Sequence, residues 1–185
     1  MMKKKLWNIW VALHWLMALL VISAFVIGLF SLNSISDPDQ KKVPLQVHLM
    51  IGITILLLVI GRYILRVAVY KKPILWNTKG NPAQSRFILE ALDKYVHPLL
   101  YLATFIMAAL GVAISLPAKL GSILFLGEQG SIPTDFSIFP ARAWHGAFST
   151  VLLLFVFQHI LVAVFHTFIK RDGFIKRMWF KKDRA

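Results

Sequence analysis

Four runs of almost unbroken apolar residues, Trp7–Phe30, Val47–Tyr70, Tyr95–Leu116 and Ala141–Phe168, dominate the 185-residue chain. None shows the period-2 alternation of a half-buried strand. Each reaches the roughly 20 residues that a helix needs to cross a bilayer core at 1.5 Å rise per residue. In lipid only helices and closed barrels satisfy their own backbone polar groups. The pattern therefore predicts an all-α membrane protein, a four-transmembrane-helix bundle. Helices of a soluble core would need a polar face for water, and these runs leave no room for one.

The connections carry the punctuation. Ser31–Gln46 holds Asp37-Pro38-Asp39 and Pro44, which are turn and helix-start signals. Pro82–Lys94 alternates charged and apolar residues at helical spacing and reads as an interfacial lead-in to the third helix. Pro117–Pro140 is broken by Gly121, Gly127, Gly130 and Pro133, and its apolar stretch Ile123–Leu126 is expected on the membrane surface. Lys3-Lys4-Lys5 resembles the start of a signal peptide. The apolar run behind it is too long for one and no small-x-small site follows, so a retained first helix is expected. The length suits one domain, 1–185, and no internal repeat or low-complexity tract is visible.

Composition agrees: 58% of residues are hydrophobic and 16% charged, against about 45–50% and about 25% in soluble domains. The net charge of +13 is a topology signal. Lys3, Lys4, Lys5, Arg66, Lys71, Lys72, Lys79, Arg86 and the basic tail from Lys170 to Arg184 fall on one side, while Lys41, Lys42, Lys119 and Arg142 fall on the other. Lys and Arg collect on the cytoplasmic side, so both termini are expected in the cytoplasm, facing anionic headgroups. With no zinc-knuckle or helix-turn-helix signature, nucleic acid is not an expected partner; membrane lipid is. Cysteine is absent, which excludes disulfides, iron–sulfur ligation and covalent haem attachment.

All six histidines, His14, His48, His97, His145, His159 and His166, lie in or at the edges of the apolar runs. An ionisable side chain in a membrane helix costs several kcal/mol and marks a functional site by default. His159 follows His145 by fourteen residues, a step of about 21 Å that returns to within about 40° of the same face. The fourth helix thus offers two imidazoles on one stripe, with His48 near the height of His145 and His14 deeper. Neutral imidazole is an axial ligand of haem iron, and bundles build cofactor sites from facing helices. Two stacked bis-histidine haems are expected. Gly52, Gly146, Ala12 and Ala18 would let a porphyrin approach the backbone, or are ordinary small residues of helix packing. Depth pairs His48 with His145 but leaves the inner couple open, because His14 lies between the heights of His159 and His166.

The residues Leu13-His14-Trp15-Leu16, Val47-His48 with Gly52-Ile53 and Arg62–Arg66, His97-Pro98-Leu99-Leu100-Tyr101 with Gly111, Trp144-His145-Gly146, Gln158-His159 and Phe165-His166 resemble the bacterial cytochrome b561 family. That family lies in the broader group of nickel-hydrogenase-type cytochromes b. The resemblance spans nearly the whole chain in order and spacing. It implies two non-covalent haem b groups in a multi-pass protein of the bacterial inner membrane, with His14 and His159 as the inner ligands and His48 and His145 as the outer ones. It further implies oxidation of superoxide at the periplasmic side and reduction of ubiquinone, as in the small stand-alone members. Those members usually carry an acidic residue where Gly146 stands here.

Other residues take expectations from this frame. His97 and His166 are candidates for quinone, propionate or proton-relay contacts, or are interfacial groups that reach water. Arg62 and Arg66 are expected to snorkel inward or to pair with propionates. Lys119 and Arg142, with Lys41 and Lys42 as headgroup anchors beside them, would draw a small anion. Of the tryptophans Trp7, Trp10, Trp76, Trp144 and Trp179, belt residues by pattern, only Trp144 is expected to touch haem. Two competing readings remain: a cytochrome b subunit linking quinone to a dehydrogenase or hydrogenase partner protein, and a His-lined proton or metal transporter. Against the transporter, no carboxylate lies deep in any run; Glu90 and Asp93 precede the third.

Overall fold

The apolar runs fold as helices that outlast them. In this computed structural model, α1 spans Met2–Val26 and continues into π-helical turns over Ile27–Leu32; α2 spans Pro38–Tyr70 and α3 Ile88–Ser115. A short α4, Leu120–Phe125, precedes α5, Pro140–Phe165, which ends in π-helical turns over His166–Lys170. The structure describes residues 2–70, 88–171, 175, 179 and 180, and the side chains of 7–65, 67, 95–171, 175, 179 and 180. Among the described residues there is no strand, and four helical spans are long and apolar enough to cross a membrane: Trp7–Leu32, Pro38–Leu65, Tyr95–Ser115 and Pro140–Lys170. Arg66 lies within α2, but its side chain, like Lys71, Lys72, Trp76, Lys79, residues 82–87 and the side chains of Glu90 and Asp93, is outside the described residues.

Helix two starts well before Val47 for a local reason. Asp37 caps it: its Oδ1 accepts the Asp39 N–H at 3.0 Å and its carbonyl accepts the Lys41 N–H at 3.0 Å. Pro38 then takes the first helical position, where its missing N–H leaves nothing unsatisfied. Pro44, read from sequence as a start signal, is interior to α2.

Burial is inverted relative to a soluble domain. Leu19, Leu57, Ile64, Leu154 and Phe157 point outward, each more than half exposed, because lipid tails solvate them as well as a core would. The buried side chains form a thin axial column that includes Val11, Ile55, Val59, Val96, Ala103, Ala108, Leu152 and Val162. α3 and α5 make the most extensive pairing, helped by the small residues Ala103 and Ala108, which let backbones approach. At the inner end the Trp7 indole N–H of α1 donates to the Trp179 carbonyl at 3.3 Å.

The connection between α3 and α5 departs from the expectation of a surface-lying strip. Lys119 turns the chain at φ +50° and Gly127 reverses it at φ +69°. Between them α4 packs Leu120 and Leu124 against Leu45, Ala118 and Ile132, and the Gln46 side-chain amide donates to the Leu124 carbonyl at 3.2 Å. Phe125 and Leu126 stay exposed. This small core caps the outer end of the bundle and walls the site beneath it.

Candidate functional site: two histidine layers

Each membrane-crossing helix carries two marked positions fourteen residues apart: His14 and Gly28 on α1, His48 and Arg62 on α2, His97 and Gly111 on α3, His145 and His159 on α5. Fourteen residues are about 21 Å along a helix and return to within about 40° of the same face. The antiparallel helices sort these eight positions into two layers. The outer layer holds Gly28, His48, Gly111 and His145; the inner layer holds His14, Arg62, His97 and His159.

In the outer layer the His48 and His145 ring centroids are 6.4 Å apart, with planes at 74°. A glycine backs each ring. A Cβ on Gly28 would stand 3.4 Å from His48 Cε1, and one on Gly111 would stand 3.5 Å from His145 Cε1. The Ala24 and Met107 carbonyls, four residues before those glycines, approach the two imidazoles without meeting hydrogen-bond geometry at the buried Nδ1 atoms. The pair opens on a cavity of about 700 Å³, within the ~300–1,000 Å³ range of ligand sites. Gly52 and Gly146 line it, as anticipated for small residues, whereas Ala12 is exposed. The glycines that touch the imidazoles are Gly28 and Gly111.

Charge at this cavity is arranged differently from the expectation. Arg142 lines it, folded back so that Nη1 is 3.2 Å from where a Gly146 Cβ would be. Lys41, assigned from sequence to the headgroups, lines it too, together with Asp135. Lys119 does not; its side chain is 71% exposed and its Nζ is 3.9 Å from Glu128. Asp135 accepts from the Ser137 N–H at 2.7 Å and from the Ser137 hydroxyl, which holds its carboxyl below the usual range. Trp144 is 62% exposed and is not part of the lining, so the tryptophan expected at the cofactor faces outward.

In the inner layer the His14 and His159 centroids are 6.1 Å apart with planes at 70°, and His97 lies closer to His159, at 5.0 Å. Arg62 does not snorkel. Its guanidinium sits 5.3 Å from the Trp10 ring centre and 5.6 Å from that of Tyr101, and Nη1 donates to Met17 Sδ at 3.4 Å. Trp10 is thus an internal partner rather than a belt residue. His166 opens the last π-helical turn and is only 8% exposed, with its ring edge-on to Phe165. Packing, not water, surrounds it.

The spacings discriminate between roles. A metal–imidazole bond of about 2.0–2.1 Å on each side, plus about 1.1 Å from each nitrogen to its ring centre, puts opposed centroids roughly 6.2–6.4 Å apart. Two imidazoles joined directly by a hydrogen bond of about 2.9 Å would bring them to roughly 5.1 Å. His48–His145 falls in the first range, His14–His159 lies just below it, and His97–His159 is close to the second distance. No cluster of three or more His, Asp or Glu side chains with metal-ligand spacing occurs among the described residues. The donor set is therefore suited to a metal whose remaining ligands come with it, as the iron of a porphyrin does.

A four-helix membrane bundle with layered imidazole pairs defines the class of b-type membrane cytochromes. The chain belongs to the prokaryotic cytochrome b561 family, whose model matches residues 7–181. It is a membrane electron-transfer protein of a haem b-binding family. It is 25% identical, over 186 residues covering 98% of this chain and 99% of the relative, to the probable superoxide oxidase CybB of Yersinia pestis. No solved structure matches the chain.

Proposed function

We propose that this protein is a di-haem cytochrome of the bacterial inner membrane that oxidises superoxide at the periplasmic side and reduces ubiquinone. His48 and His145 would hold the outer haem b, and His14 and His159 the inner one. The observation that carries the reading is the presence of two imidazole pairs from different helices, with ring centres 6.1 and 6.4 Å apart, close to the separation that one iron would need. Match over nearly the full length of a probable superoxide oxidase supports the choice of substrate.

In the overall reaction two superoxide anions each lose one electron and leave as O2, while one ubiquinone takes up two electrons and two protons to become the quinol. Haem b, when bound, supplies the one-electron carriers. The chain's own residues do the rest. The imidazoles fix position and spacing, Gly28 and Gly111 leave the outer rings room, and the α4 cap limits water over the outer layer. Arg142, with Lys41 at the same cavity, raises the local concentration of a small anion. His97 and His166 would meet a quinone carbonyl or a haem propionate at the inner end.

Purified protein should show a low-spin b-type visible spectrum with two haems per chain. It should also speed the decay of enzymatically generated superoxide when ubiquinone is present, forming one quinol per two superoxide consumed. Unchanged superoxide decay by fully haem-loaded protein rejects the substrate and leaves a carrier that docks to a dehydrogenase or hydrogenase. Colourless, folded protein rejects the haem reading and returns the His-lined transporter.

A further inference from the structure

α1 is the membrane-crossing helix least embedded in the rest of the chain. Among the described residues Val11 is the only buried side chain of α1 and its π-helical turns, whereas α2, α3 and α5 each bury at least two. Its extensive pairing is with α2, where Trp10 and Met17 meet Arg62. At the outer end Leu32 packs against the core of the α4 cap. No pairing of that extent joins α1 to α3 or α5 among the described residues. Yet α1 carries His14, which faces His159 of α5, and it lines the outer cavity with Val21, Ala24, Phe25, Gly28 and Leu29. Leu29 of α1 and Thr150 of α5 both line that cavity and are also exposed, so its walls reach the lipid-facing surface on both helices.

We propose that α1 is a movable wall of the cofactor sites, hinged along α2, and that the group held between His14 and His159 is what clamps it to α5. The inference rests on the di-haem reading above. Lipid gives helices no hydrophobic reason to associate, so direct packing and polar contacts must hold them together. α1 has that packing on its α2 side and little of it toward α5. A ligand that favours one position of a mobile element shifts the population to that position by its differential affinity. A metal coordinated from both helices binds only when they stand close, so it selects the closed position. The π-helical turns over Ile27–Leu32 give α1 a place to bend, since kinks fall at such turns. α2, α3 and α5 form the fixed frame, held by the pairings of α3 with both neighbours. An outward swing of α1 opens the frame toward the acyl chains.

The test is a distance measurement by pulsed electron paramagnetic resonance on full-length, reduced protein, with haem content followed in parallel. The chain has no cysteine, so spin labels go only where cysteines are introduced. Leu19, Leu102 and Leu154 each stand nine residues inward of the outer layer, roughly 13 Å, and each is more than half exposed. Leu19→Cys with Leu154→Cys reports α1 against α5, and Leu102→Cys with Leu154→Cys reports α3 against α5. Both distributions should be narrow in haem-loaded protein. His159→Ala, which removes the inner group without altering α1, should at least double the width of the α1–α5 distribution and leave the α3–α5 one as it was. His14→Ala should do the same. Should both variants fail to fold, otherwise unaltered chain produced under haem limitation serves the same comparison. An unchanged α1–α5 width, equal broadening of both pairs, or release by His14→Ala alone would overturn the proposal, the last by making the His14 side chain itself the fastening. Pigmented protein with a rigid α1 overturns the clamp alone; colourless wild-type protein overturns the di-haem reading and the clamp with it.

Discussion

The outer and inner layers share one helical register and were filled by opposite means. The outer layer pairs two histidines with two glycines, so each imidazole is backed by a closely approaching glycine and faces a cavity of about 700 Å³. The inner layer fills every equivalent position with a ring or a charge: His14, His97, His159 and Arg62. The lesson is that bundle geometry fixes where cofactor-sized layers fall, whereas the identity of the non-liganding positions decides their character. Glycine makes the outer layer open and accessible. Histidine and arginine make the inner one dense and electrostatically loaded.

The strongest way to break this contrast is to remove one ligand from each layer on the same helix. His145→Ala should abolish the outer haem and His159→Ala the inner, each halving the haem-to-protein ratio, whereas His97→Ala and His166→Ala should keep both. Retention of full haem content in either ligand variant would undo the layer assignment. Next in size is the glycine backing. A methyl at Gly28 or Gly111 meets its imidazole at ordinary contact distance, so Gly111→Ala should be tolerated. Gly111→Val should displace His145 and cost about 1–3 kcal/mol through overpacking, read as selective loss of the outer spectral component.

The α4 cap should report on the outer layer alone. Leu124→Ala, in a core with Leu45, Ala118, Leu120 and Ile132, should destabilise by about 2–5 kcal/mol. It should lower the temperature at which the outer haem is released while leaving the inner one in place. Smaller is the charge effect. Arg142→Gln should slow superoxide consumption by about tenfold at low salt and flatten its ionic-strength dependence, and Lys119→Gln, already near Glu128, should change little. Smallest is the Asp135–Ser137 turn. A carboxyl held below its usual range stabilises the fold above that range and loses the contribution as pH falls through the lowered value. Asp135→Asn should therefore lower stability slightly and evenly between pH 6 and 8, with the difference from wild type shrinking only as the pH falls through the acid range.

The four helices were legible because lipid imposes a crude rule: about 20 apolar residues per crossing, whatever their order. The same rule hid their ends, since helix caps such as Asp37 work locally and carry little hydropathy signal. The histidine ladder on α5 was visible from its fourteen-residue spacing. The matching intervals on α1, α2 and α3 went unread because their partners are Gly28, Arg62 and Gly111, and nothing about glycine or arginine alone announces a layer. Reading Arg62 as a snorkelling residue followed from its place near a helix end, and its actual partners, Trp10, Met17 and Tyr101, lie on two other helices.

Sequence by itself determined that the chain crosses a membrane four times, that its charge sorts to one side, and that imidazoles occur at two heights. Only the tertiary structure decided which imidazoles stand about 6 Å apart, that His97 lies closer to His159, and that Trp144 faces outward while Arg62 turns in. The reason is physical. Apolar length and charge are sums along the chain, whereas a distance between two rings depends on the rotation and crossing of helices that no one helix specifies.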